Sequence, residues 1–337
     1  MNKLFNFKTT FVGSSLAGLL MGLTAPAIAQ MPVPRTGLSE MAAAKTPGFD
    51  KAMMLAAVRA GTRIVAVGDH GIVLLSDDSG KTFRQATKVP TRATLTSVTF
   101  VNEHEGWIAG HWGVILHTTD GGDTWTLQRD ELDVDKPLFS ILFKDAKTGF
   151  ASGLWSLLLR TDDGGKTWQK IELPASEGRK QADKNLFSIF NGPQGDLFIA
   201  AEHGSVFHSA DGGTSWTETS TGNAGTFWTG LSLRSDVILV AGLRGKIYRS
   251  ADDGKTWNAI ATPTKSSITS MTELPDGSVL AVGLDGITLL SRNGGESFEL
   301  STRPDQLANT AVVASATGVP VIFTALGVDH GAWAAKK

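Results

Sequence analysis

Seven side chains in this 337-residue sequence stand just before a glycine (once, before Ser156) at one repeated place: His70, Trp112, Trp155, His203, Arg244, Asp285 and His330. Their preceding neighbours include Asp69, His111, Glu202 and Asp329. Three kinds of chemistry could be built from this set. The three histidines could ligate a metal, but metal–nitrogen bonds of ~2.0–2.1 Å demand convergence. If the repeats close into a ring, His203 falls across it from His70 and His330, so no metal and no cofactor is expected. Glu202, Asp285, Asp69 and Asp329 could supply the carboxylate pair of a glycoside hydrolase, which needs a separation of roughly 5–10 Å. Tryptophan, arginine and histidine together also make a recognition surface, because aromatic and Arg anchors carry most binding energy. A turn with no task beyond turning favours Asn, Asp, Gly or Ser. The seven residues therefore read as a binding column of mixed charge, suited to a protein or a glycan, with no catalytic residue. The competing reading packs Trp112 and Trp155 inside a channel and leaves the polar members facing water.

Other chemistry-bearing patterns are turns. Gly-Lys-Thr at 80–82, 165–167 and 254–256 copies the end of a phosphate-binding loop, but the glycine required five residues earlier is Leu75, Arg160 or Arg249. The Asp-rich turns lack the spaced ligands and distal Glu of a calcium loop.

These turns belong to the elements that must position the column. Six copies of S/T-x-D-x-G-x-T/S-W/F close on Phe83, Trp125, Trp168, Trp216, Trp257 and Phe298, at steps of 42, 43, 48, 41 and 41 residues. Asp78, Asp120, Asp163, Asp211, Asp253 and Asn293 are read as the turn residues, accepting backbone N–H groups. The aromatic then has a large face to bury between units. A period near forty with several strands per unit marks a β-propeller or solenoid. Each unit reads as four antiparallel strands, as in Thr96–Phe100, Trp107–Gly110, Val114–His117 and the strand opening at Trp125. The fold expected is all-β: one seven-bladed propeller over 51–337, its last blade incomplete. Residues 30–50 are a linker or a strand that closes the ring and removes free edges; six or eight blades are the alternatives.

Lys3, Lys8, the apolar run from Phe11 to Leu23 and Ala27-Ile28-Ala29 form a secretory leader over 1–29, with cleavage before Gln30. The run is too short to span a bilayer. A periplasmic or secreted address follows. With no cysteine, packing and ladder hydrogen bonds carry the stability. A net charge of −2 gives no field for nucleic acid.

The six motif copies resemble the Asp-box, or bacterial neuraminidase repeat. Sialidases use a Tyr nucleophile, whereas the single tyrosine here, Tyr248, sits in the strand leading into a motif turn. A closer resemblance spans nearly the whole chain beyond the leader. The grammar S-V-x-F, G-W/F-x-A/V-G, G-x-I/V-x-x-S/T, D-G-G-x-T-W, best seen from Ser97 to Gly110, is similar to the photosystem II stability/assembly factor family. That resemblance implies a non-enzymatic, exported seven-bladed propeller that binds newly made membrane-protein subunits. It implies a protein partner within a membrane complex, with related bacterial proteins linked to resistance-nodulation-division transporters. Members of that family carry a cluster of arginines on one face; here Arg244 alone holds a column position.

Overall fold

The computed structural model describes residues 40–175 and 182–329. The leader, its cleavage site and His330 lie outside the described residues. The alternating, β-branched segments form seven antiparallel sheets, six of four strands and one of three. In blade 1 the strands are Met54–Ala60, Arg63–Gly68, Val73–Ser76 and Arg84–Gln85. The first strands of the following blades are Leu95–Phe100, Leu138–Phe143, Leu186–Asn191, Phe227–Ser232, Ile268–Glu273 and Asn309–Ala314. Each packs on its predecessor, and the last packs back on Met54–Ala60. The ring is closed with seven blades, which removes the six- and eight-bladed alternatives. Second strands such as Gly106–Gly110 and Ile238–Gly242 are buried throughout, because neighbouring blades cover both their faces.

The motif turns join the third and fourth strands, and their hydrogen bonds repeat with little variation. In blade 1, Ser76 Oγ donates to Asp78 Oδ1 (2.9 Å) and accepts from the Gly80 N–H (2.8 Å). Thr82 gives its N–H to Oδ1 (2.9 Å) and its hydroxyl to Oδ2 (2.6 Å). One sequence assignment is corrected here. In blade 5 the accepting carboxylate is Asp252, not Asp253: Ser250 Oγ, the Thr256 N–H and the Thr256 hydroxyl all donate to Asp252. Asp77-Asp78 and Asp162-Asp163 are also adjacent pairs, but there the second aspartate accepts, whereas here the first stands five residues before the aromatic. Asp253 instead takes φ +58° at the place where Gly121, Gly164, Gly212 and Gly294 stand elsewhere.

Each closing aromatic packs on the preceding blade. Trp125 joins Val65 and Leu75 of blade 1, and Trp216 meets Phe150 of blade 3 edge to face at 6.5 Å. Trp257 packs with Phe198, Phe298 with Leu239, and Trp168 with Trp107. Phe83 lies edge to face on Phe323 at 5.7 Å and so closes blade 1 on blade 7.

Blade 7 has strands Asn309–Ala314, Pro320–Thr324 and Gly327–Val328. The described part of the 30–50 segment adds no fourth strand to it. Residues 42–46 run beside blade 1, where the Ala43 N–H donates to Val89 O (2.9 Å) and Gln85 Nε2 to Ala44 O (2.8 Å). The chain then crosses to blade 7, where Phe49 and Ala52 pack on the core holding Phe323 and Val328.

Candidate recognition face

Antiparallel order fixes which loops share a face. The hairpin joining second and third strands lies at the end of the ring that carries the connections between blades, opposite the motif turns. The first residue of each hairpin donates its N–H to the residue preceding its blade's first strand: Asp69 to Met53, His111 to Thr94, Leu154 to Pro137, Glu202 to Asn185, Leu243 to Thr226 and Leu284 to Ser267. The next residue is the column residue. His70, Trp112, Trp155, His203, Arg244 and Asp285 all take φ between +54° and +58°. They occupy one place on six consecutive blades, so the structure brings them to one face.

The seventh member differs from the sequence assignment. Ala325 donates to Ala308 O in the pattern above, so the column place falls to Leu326, before Gly327. Asp329-His330-Gly331, whose last two residues lie outside the described residues, copies the residue-before-glycine rule in sequence only. The hairpin of blade 7 closes earlier, with Thr324 opposite Gly327.

A left-handed conformation costs a residue with a Cβ roughly 1–2 kcal/mol. Tight turns with two such positions favour Asn-Gly or Asp-Gly, so tryptophan and arginine here are not chosen for turning. The following glycine is enforced by contact: a Cβ on Gly71 would meet Thr91 O at 1.9 Å, and one on Gly204 would meet Asn223 O at 2.0 Å. In blade 3, Ser156 takes φ +54° instead, its hydroxyl donating to Lys184 O (3.0 Å). Neighbouring blades pin the turns. The Trp112 N–H donates to Asp135 Oδ1 (2.7 Å) and the Trp155 N–H to Asn185 Oδ1 (2.9 Å).

Above this rigid base the side chains differ. Trp155 is 61% exposed and Leu326 68%; His70, His203, Arg244 and Asp285 are exposed as well. Trp112 is half-buried against the core between blades 1 and 2. The carboxylates weighed as a hydrolytic pair each have other partners. Glu202 accepts from the side chain and N–H of Asn185 (both 2.9 Å), Asp329 from Arg303 (2.6 Å), Asp285 from Ser266 (2.7 Å) and Asp69 from Thr94 (3.3 Å).

A second ring went unnoticed in the sequence. Every first strand carries a β-bulge at its second residue: Leu55, Thr96, Phe139, Phe187, Trp228, Thr269 and Thr310. A bulge adds one unpaired residue and re-aims its side chain. These residues lie at the recognition-face end of the innermost strands, at the mouth of the channel. Phe139, Phe187 and Trp228 are half-buried and belong to none of the cores between blades. Phe139 and Phe187 stack at 5.0 Å and 9°. The signal available in the sequence was Phe, Phe and Trp on three successive units, at a place where three other units carry Thr.

Comparison with known proteins places this architecture. The family model described as Photosynthesis system II assembly factor YCF48 matches residues 65–129 and 126–301. The chain belongs to the YCF48 family. The Photosystem II assembly protein Ycf48 of Thermosynechococcus vestitus is 38% identical over 52 residues, a stretch covering 14% of this chain and 15% of that protein. The solved structure of YCF48 bound to a D1 peptide superposes with a TM-score of 0.66 at 20% identity, covering 83% of this chain and 92% of that one. YCF48 from Cyanidioschyzon merolae gives 0.66 at 14%, covering 83% and 95%. A streptogramin B lyase gives 0.70 at 14%, covering 83% and 93%. At such identities the superpositions speak for the fold alone. Membership of the YCF48 family rests on the sequence match.

Proposed function

We propose that this protein is a non-enzymatic assembly or scaffold factor that holds part of a membrane-protein partner on the face carrying the column. It is routed through the Sec system and released after Ala29 into the periplasm or medium. The observation that carries the reading is the YCF48 family match across the blades whose strained, aromatic-bearing turns crowd one face. A YCF48 structure holding a D1 peptide supports a polypeptide of a membrane protein as the kind of partner. Holding six non-glycine residues in left-handed turns costs stability, and such strain persists at sites where it serves binding. The partner complex is proposed to be a transporter of the resistance-nodulation-division type.

Affinity capture from a cross-linked envelope fraction tests this. Membrane-protein subunits should co-purify with the wild type and be lost with Trp155→Ala/Arg244→Ala at unchanged thermal midpoint. Capture of no membrane protein, or turnover of a glycan abolished by Glu202→Gln, would overturn it. Sequencing the released form should find Gln30 first; an intact Met1 on a membrane-bound form contradicts the address.

A further inference from the structure

The seven bulges share one backbone geometry, yet their side chains divide the ring. In blades 2 and 6 the extra residue is a threonine that ties neighbouring blades together. Thr96 Oγ1 donates to Ala109 O and Leu138 O, and Thr269 Oγ1 to Val282 O and Asn309 O. In blades 3, 4 and 5 it is Phe139, Phe187 and Trp228, which make no such tie. Phe139 and Phe187 stack on each other across the joint between blades 3 and 4, and Trp228 has no ring contact among the described residues. They form a half-buried apolar arc along the channel mouth, beside exposed Trp155, whose turn is pinned to Asn185, two residues before Phe187.

The connections flanking the arc differ in charge. The connection between blades 2 and 3 reads Asp130-Glu131-Leu132-Asp133-Val134-Asp135, with Leu132 and Val134 exposed, and reaches Phe139 through exposed Lys136 and buried Pro137 and Leu138. Glu131 pairs with Arg129 and Asp135 with His111, whereas Asp130 and Asp133 have no partner among the described residues. At the other end, Trp228 shares blade 5 with Arg244. Arg244, Lys246 and Lys265 line, with Ile260 at the end of that blade's outermost strand and Thr262 after it, an open cleft of about 750 Å³ on the outer side of the blade. None of these three cations has a side-chain partner among the described residues.

We infer that this arc seats one extended polypeptide segment of the partner. The segment has large apolar side chains at its centre, carboxylates at the end facing Arg244, Lys246 and Lys265, and a cation at the end facing Asp130 and Asp133. The inference deepens the scaffold reading and rests on it. Charge complementarity chooses a peptide over a sugar. A neutral oligosaccharide offers nothing to these charges, and the polar groups beside the aromatics that could bind its hydroxyls, Asn185 and Glu202, bond each other. Aromatic anchors ringed by charge, on a base that need not reorganise, are the usual shape of a binding hot spot.

The test is a phage-displayed library of random twelve-residue peptides panned on the full exported protein, followed by titration of the synthesised consensus peptide. Enriched sequences should carry adjacent large apolar residues with Asp or Glu on one flank and Lys or Arg on the other. Phe187→Thr and Trp228→Thr place at blades 4 and 5 the residue that blades 2 and 6 already carry, so they should leave the thermal midpoint within a few degrees. Each should weaken the peptide at least ~10-fold, and Arg244→Glu/Lys265→Glu should reverse the charge preference at that end. Four results overturn the inference: no enrichment; enriched peptides indifferent to both Thr variants; a neutral oligosaccharide panel that binds through Trp228 instead; or envelope capture at wild-type level in the Phe187→Thr/Trp228→Thr protein. The last leaves the scaffold reading standing, whereas loss of capture by the wild type removes that reading itself.

Discussion

At the scale of single residues, the motif carboxylates are held unusually acidic by the hydrogen bonds that define their turns. The side-chain hydroxyl of Thr82 and then its N–H lower Asp78 to about 2, and Thr167 does the same for Asp163. The Ser215 hydroxyl and N–H hold Asp211 lower still. A carboxyl whose folded pKa is depressed contributes stability above its unfolded value, and that contribution is lost as pH falls through the folded value. Stability should therefore be flat from pH 7 to about 5 and decline between about 4 and 2, where the unfolded chain takes up protons first. Blade 6 supplies the control. Its Asn293 keeps the geometry without a titrating group, accepting from the Ser297 N–H (3.1 Å) and donating Nδ2 to Ser297 Oγ (2.9 Å). Asp163→Asn should thus fold at pH 7 with little loss and lose less stability than wild type on going to pH 2.5, read from urea midpoints at the two pH values. An equal or steeper acid loss would mean the turn does not depend on that charge. The six motif positions are legible from spacing, five residues before the closing aromatic, and that spacing also gives Asp252 before Trp257, as the Ser250 and Thr256 bonds require.

At the scale of elements, the hairpins carry strain and the bulges aim side chains. Arg244 is exposed and left-handed at φ +58°, so Arg244→Gly should stabilise the protein by about 1 kcal/mol while weakening partner capture. Chemical denaturation and pull-down from the same preparation measure both, and a destabilised Arg244→Gly would show that the guanidinium holds the fold. The motif aromatics behave in the opposite way. Trp125 is fully buried, so Trp125→Ala should cost roughly 3–5 kcal/mol. Trp168 is half-buried and should cost less; equal losses would mean exposure does not set the order. The sequence revealed the column because a glycine follows every member but Trp155, which precedes Ser156, marking the turn. It concealed the bulges, because one inserted residue leaves the local alternation of a six-residue strand nearly unchanged. Only pairing across the sheet, Leu186 with Ala201 and Ser188 with Ala200, shows Phe187 to be the extra residue.

At the scale of the whole molecule, the ring holds because the last blade packs on the first. Phe323 is fully buried there among Met54, Ile64, Leu74 and Val321. Phe323→Ala should cost roughly 3–5 kcal/mol and raise proteolysis within blades 7 and 1 ahead of the others; uniform cleavage would show that the seam is no weaker than any other joint. The period of the motifs points to seven blades, but the seventh carries no motif, and there the residue-before-glycine rule names His330 where the Ala325–Ala308 hydrogen bond names Leu326. What remains is whether the crowded face is where a partner is held. An aromatic photo-cross-linking residue, which keeps a ring at that place, put at Trp155 on that face and separately at Arg292 in the motif turn on the opposite face, decides this in intact cells. Cross-links to an envelope membrane protein from position 155 and none from position 292 are expected; equal capture from both, or capture from 292 alone, would contradict the central claim.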